Sequence, residues 1–182
     1  MRSLLVAGAG YGSEPGEREK FGAEAVVIAA RLEKEDMAAF AETYAHGTTG
    51  IQLENKDPRG FAEFKAMLAE HSAKRAANTQ LGVQRERPSV FDLEDKLAAC
   101  RVPMLIVTGD EDWPCLVPNV FIKRTCRTAA LLVIPNSGHA INIEEPAAFN
   151  RALADFLAQV DAGRWPTRDP RAVSQSITGV TK

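Results

Sequence analysis

The chain has 182 residues, of which 45% are hydrophobic and 25% charged, and its 22 Lys plus Arg against 24 Asp plus Glu leave a formal net charge of −2. That is the composition of an ordinary globular protein long enough to bury a core unaided. No window gathers enough Lys or Arg to form a phosphate-binding stripe, so nucleic acid is not an expected partner. No apolar run reaches the roughly 20 residues that a bilayer crossing needs, and the first residues lack the apolar stretch of a secretion signal, so the expectation is no membrane and a cytoplasmic location.

Leu4-Leu5-Val6-Ala7 is a short apolar run ending in Gly8, Gly10 and Gly12, which reads as a buried strand entering a loop. From Glu17 to about Leu32, Phe21, Ala25, Ile28, Ala29 and Leu32 recur at helical spacing. A second helix is predicted over Lys34 to Tyr44. A third is introduced by Pro58, running from Arg59 to His71 with Phe61, Phe64, Met67 and Leu68 inward, and a fourth spans Lys74 to Gln80. No convincing strand interrupts this stretch.

After Pro88, Val90 to Ala99 has Leu93, Leu97 and Ala98 at helical spacing, with Ser89 or Asp92 able to cap it. Val102 to Thr108 is then an unbroken apolar run stopped by Gly109, the pattern of a parallel strand buried on both faces. Pro114 opens a helix reaching Arg127, Ala130 to Ile134 repeats the strand pattern, and Pro146 to Val160 is a last helix with Phe149, Leu153, Phe156 and Leu157 inward. This order predicts an α/β fold of about three parallel strands, near 3–8, 103–108 and 130–134, joined by right-handed crossovers. Sites in such folds lie at the strand C-termini.

Two loops stand there. One is Gly109-Asp110-Glu111-Asp112-Trp113-Pro114, the other Asn136-Ser137-Gly138-His139-Ala140. One strand-helix-strand unit separates Asp112 from His139, which brings them onto adjacent loops, where a carboxylate would fix the imidazole tautomer and steady an imidazolium. Taken singly, an Asp before a Pro is a helix cap and a single His is structural. Together, with the acid preceding the base on consecutive strand ends, they read as a catalytic pair.

The segment Val102 to Asp112, followed by Ile134-Pro135-Asn136-Ser137-Gly138-His139 and by Glu144-Glu145-Pro146 with Phe149, resembles the closing part of the α/β-hydrolase superfamily. The resemblance implies a triad acid at Asp112, a base at His139, a small-molecule substrate, and no cofactor or metal. It also implies a layout: 1–13 as a core strand and loop, 14–86 as a helical cap and 87–161 as the C-terminal core. From Gly163 the chain turns polar and proline-bearing, so 162–182 reads as a tail, packed on the surface at first and then disordered. Cap side chains set the substrate in that family; Phe21, Met37, Phe40, Phe61, Phe64 and Met67 read mostly as core, and those that are not imply an apolar substrate portion.

The departures are as definite. No Gly-x-Ser-x-Gly elbow is present, and Ser13 has Tyr11 and Pro15 where flanking glycines would stand. Cys100 ends a predicted helix, Cys115 lies beyond the acid in chain order, and with Cys126 they lack CxxC spacing, so structural thiols are expected. The expectation is therefore an N-terminally truncated hydrolase, inactive alone, with an open sheet edge prone to self-association. Whether a complete enzyme would use Ser, as an esterase, or Asp, as an epoxide hydrolase or dehalogenase, stays open. Two rivals remain: a non-catalytic binding module of the same fold, and a dinucleotide-binding domain built on Gly8, Gly10 and Gly12, although Ser13 stands where the third glycine of that fingerprint belongs.

Overall fold

The structure is a computed structural model that describes residues 1–173. Strands β1 (Leu4–Ala7), β2 (Met104–Gly109) and β3 (Ala129–Ile134) form one parallel sheet in the order β1-β2-β3. All six residues of β2 are buried, which is why its sequence shows no alternation: the central strand has protein on both faces. Met104 and Ile106 face helix α6 (Glu94–Ala99) and helix α7 (Trp113–Thr125), packing with Leu97, Ile122 and Cys126. Leu105 and Val107 face the other way, onto Ile141 of α8 (Ile141–Glu144) and Phe149, Leu153 and Phe156 of α9 (Pro146–Asp161). Each such fully buried aliphatic or aromatic side chain contributes on the order of 1.5–3 kcal/mol. Sequence and structure agree on these three strands.

Between β1 and β2 the described chain is helical: α1 (Arg18–Leu32), α2 (Met37–Tyr44), α3 (Ile51–Lys56), α4 (Pro58–Ala69) and α5 (Ala73–Thr79). Ala29, Leu32, Met37, Phe40 and Ala77 make a core of their own, separate from the sheet. Side-chain caps set the helix starts. Asp36 accepts from Ala39 N at 2.8 Å, so α2 begins at Met37 rather than at Lys34, and Asp57 accepts from Gly60 N at 3.0 Å. Helix α5 does not stop at Gln80 but widens into a π-type turn through Gln84, because Leu81 packs on the α1–α2 core and outweighs the cost of Gly82. Helix α3 was not legible in the sequence: it is short and buries a single residue, Leu53, so no periodicity could build up.

After α9, Trp165 donates to Thr128 O at 2.8 Å and packs edge-on to Phe156, and Arg168 donates to the carbonyls of Lys123 and Arg124 at 2.7 Å each. Arg168 thereby caps the carbonyl end of α7. Residues 174–182, the end of the predicted tail, lie outside the described residues. The outer edge of β1 pairs with no strand among the described residues.

Candidate active site

Because β2 and β3 are parallel neighbours, the loops that follow them leave the sheet side by side, and one main-chain bond and one bond to a side-chain carboxylate tie the two together. Glu111 N donates to Ser137 O at 2.9 Å, and Ser137 N donates to Asp110 Oδ1 at 3.1 Å. Gly109 permits this approach: a Cβ at that position would lie 1.9 Å from Ser137 O.

On this scaffold Asp112 Oδ2 lies 3.0 Å from His139 Nδ1, with the Asp112 side chain 2% exposed and that of His139 37% exposed. Asp112 occupies the N-cap position of α7, yet its carboxylate caps nothing; its backbone carbonyl starts the helix, accepting from Cys115 N and Leu116 N, while the side chain turns to the imidazole. The capping reading of this residue therefore does not hold. The Asp112 carboxylate raises the imidazole pKa above its ordinary value, against burial, which lowers it.

Glu144 holds the histidine loop from below. It is buried, and its carboxylate accepts from Gly138 N at 2.6 Å and from Ala140 N at 3.0 Å, one peptide on either side of His139. Lys56, at the end of α3, donates to Ser137 Oγ at 3.2 Å and to Glu145 Oε1 at 2.5 Å, so the helical region touches this loop directly. The sequence signalled Glu144 only as part of a motif and gave no signal for Lys56.

His139 borders a cavity of about 300 Å³ that is also lined by Gly8, Tyr11, Phe21, Tyr44 and Arg87. Gly8, at φ +56°, sits against the imidazole: a Cβ there would lie 3.0 Å from His139 Cε1. Tyr11 donates to Glu24 Oε2 at 2.6 Å, and burial followed by that carboxylate pushes its pKa up to about 12, so it remains a neutral phenol. Arg87 donates to Tyr11 O at 2.7 Å with its guanidinium over the Phe21 ring, and burial, then Arg18, lowers its pKa. Of the apolar helix residues singled out in the sequence, Phe21 lines this cavity, Met37, Phe40 and Phe61 are buried in cores, and Met67 is exposed.

The other candidates have different surroundings. Ser13 is buried, and its hydroxyl accepts from Val90 N at 3.3 Å while its carbonyl accepts from Ser89 Oγ at 2.6 Å, a brace between loops with no hydrogen bond to His139. Gly10 and Gly12 abut Pro118 and Phe21, and α1 begins only at Arg18 without a side-chain cap, so the glycines admit this chain's own side chains rather than presenting a helix start. Cys100 and Cys126 pack in the sheet core. Cys115 is different. Its Sγ lies 3.9 Å from His139 Nδ1, and Asp112, Cys115 and His139 form the one group among the described residues whose potential metal-ligand atoms all lie within 4.8 Å of one another. Burial and the neighbouring Asp112 carboxylate push the Cys115 thiol pKa far up, which holds it protonated.

No family model matches the chain. Among curated proteins, RutD of Variovorax paradoxus (strain S110), named as a carbamate hydrolase, is 37% identical over 75 residues, covering 40% of this chain and 27% of that protein. A Bacillus subtilis (strain 168) protein named as a 2-succinyl-6-hydroxy-2,4-cyclohexadiene-1-carboxylate synthase is 24% identical over 59 residues, covering 32% of this chain and 22% of that one. The match thus spans only about a quarter of these relatives' length. Among solved structures, MenH from S. aureus superposes at a TM-score of 0.80 with 15% identity, over 88% of this chain and 60% of that chain. A thermophilic esterase from Thermogutta terrifontis does so at 0.69 with 20% identity, over 87% and 56%. At such identities the solved structures establish shared architecture.

Proposed function

We propose, from the premise that this chain has part of the α/β-hydrolase fold, that Asp112 and His139 are the acid and base of a nucleophile-His-Asp triad hydrolysing a small ester-type substrate. The observation that carries this reading is the 3.0 Å contact between the buried Asp112 carboxylate, free of any capping duty, and His139 Nδ1. With Nδ1–H donated to Asp112, the lone pair of the imidazole is on Nε2. That nitrogen would take the proton of a serine hydroxyl as it attacks the ester carbonyl, and return it to the leaving alkoxide; if the nucleophile is Asp, it would deprotonate the water that cleaves the alkyl-enzyme ester. In either case Asp112 stabilises the imidazolium formed in between. The cavity bordered by His139, Phe21 and Arg87 is the place for the substrate.

These 182 residues contain no Gly-x-Ser-x-Gly elbow. In this reading the nucleophile and its oxyanion-stabilising amides belong to sequence outside them, 14–86 is the cap over the site, and the chain by itself is inactive. The missing elbow is also what favours a second reading, a small-molecule binding module of the same fold in which the pair is vestigial.

The test is to express the reading frame extended upstream and to follow p-nitrophenyl acetate hydrolysis. An in-frame elbow, with turnover that His139→Ala lowers by about 10²–10⁴-fold, is expected. Activity of His139→Ala within tenfold of the parent removes the base assignment, and an upstream region without coding sequence leaves the binding module as the reading.

A further inference from the structure

We propose that Asp112, Cys115 and His139 together form a binding site for a thiophilic divalent cation such as Zn²⁺ or Cd²⁺, and that occupation of this site switches the acid-base pair off. The metal-binding half stands on geometry alone; the switching half rests on the triad reading above.

Asp112 is the N-cap residue of α7 and Cys115 lies in its first turn, while His139 comes from the loop after β3. The Asp112 Oδ2 to His139 Nδ1 distance is 3.0 Å and the Cys115 Sγ to His139 Nδ1 distance is 3.9 Å, with all three ligand atoms within 4.8 Å of one another. A tetrahedral ion bound at about 2.0–2.2 Å to nitrogen and oxygen and about 2.3 Å to sulfur needs its ligands roughly 3.3–3.6 Å apart. The nitrogen-oxygen and nitrogen-sulfur separations straddle that range, so shifts of a few tenths of an ångström would close these two edges of the shell. The fourth ligand would be a water drawn from the cavity that His139 borders.

Two further observations favour a cation here. Cys115 is fully buried, yet it belongs to none of the apolar clusters; its sulfur faces the imidazole nitrogen and the carboxylate instead. The charge also closes. Bound as thiolate and carboxylate, Cys115 and Asp112 neutralise a divalent ion, which removes most of the cost of burying either charge alone. In the exchange the thiol proton leaves to solvent, and the imidazole stays neutral, giving its Nδ1 lone pair to the metal and carrying its proton on Nε2. Nothing is oxidised or reduced. A histidine protonated at Nε2 has no lone pair there for a nucleophile's proton, so the metal-bound form is catalytically silent.

Cobalt reports this directly, because thiolate coordination gives a charge-transfer band in the near ultraviolet and a tetrahedral shell gives intense visible absorption. Titrating Co²⁺ into the reduced chain is expected to produce both signals at one equivalent, with Zn²⁺ displacing them. Cys115→Ser should abolish the ultraviolet band and Asp112→Asn should weaken Zn²⁺ binding at least tenfold, while Cys100→Ser changes neither. Circular dichroism checks that each variant folds. The site is overturned if the ultraviolet band survives in Cys115→Ser, or if Zn²⁺ binding in calorimetry is the same in the parent, Cys115→Ser and Asp112→Asn, which would mean surface binding only. The switching half is read in the extended enzyme: Cd²⁺ should inhibit the parent and leave Cys115→Ser at its own metal-free rate. Equal inhibition of both would overturn that half, and since the cobalt titration needs no turnover, failure of the site and failure of the triad reading are distinguishable.

Discussion

His139 is held by one strong partner, and its protonation follows from that. The folded-state pKa is raised above the ordinary histidine value by the Asp112 carboxylate, so the proton is bound more tightly folded than unfolded. The pair's contribution to stability is therefore fully present below the unfolded histidine value and is lost as the pH rises through the folded one. An imidazole NMR titration should give His139 a midpoint above 6.5, and Asp112→Asn should bring it down. No change on that substitution would mean the carboxylate does not control the ring. A second residue-scale prediction concerns Asn119, whose side-chain amide nitrogen and oxygen are both buried and without a hydrogen-bond partner among the described residues. Asn119→Leu, of similar size, relieves that desolvation and should stabilise the chain by about 1–2 kcal/mol, read from the urea midpoint. A loss of stability would reveal a bridging water at the amide.

At the scale of elements, the histidine loop depends on a carboxylate that touches no reacting group. Glu144 bonds the amides on both sides of His139, and Glu144→Ala should cost about 1–3 kcal/mol by leaving one buried and one partly buried N–H group without partners. On the proposed triad reading, the same substitution in the extended enzyme should lower kcat more than it raises KM, since Glu144 would position the base rather than the substrate. Strands β2 and β3, and the pair of residues at their ends, were legible in the sequence because an unbroken apolar run has one structural meaning and because Asp112 and His139 sit at matching places after consecutive runs. Lys56 was not, since it reaches Ser137 from a helix too short to announce itself. Nor was the setting of Cys115: nothing in a spacing of 24 residues to His139 says that their side chains meet. Such juxtapositions are made by tertiary packing, and single-chain periodicity carries no record of them.

For the molecule as a whole, the sheet is the feature with consequences in solution. Strand β1 offers an unpaired parallel edge among the described residues, with Leu4, Leu5 and Val6 only half buried. An open, apolar edge pairs with whatever strand it meets. Sedimentation velocity on the isolated chain should show mean mass rising with concentration, and a monomer at every concentration would mean the edge is blocked by other means. The registers Leu4 to Met104 and Met104 to Ala129 put β1 on one side of β2 and β3 on the other, an order that no apolar run records by itself.

The contact between Gly8 and His139 has one more implication. The imidazole rests on main chain, and main chain has no rotamers to slip between. Any side chain at position 8 would have to adopt a backbone angle of +56° and find room 3.0 Å from the ring. In a saturation library of the extended enzyme, position 8 should therefore tolerate as little as position 139 does, although it holds no proton and touches no bond that breaks.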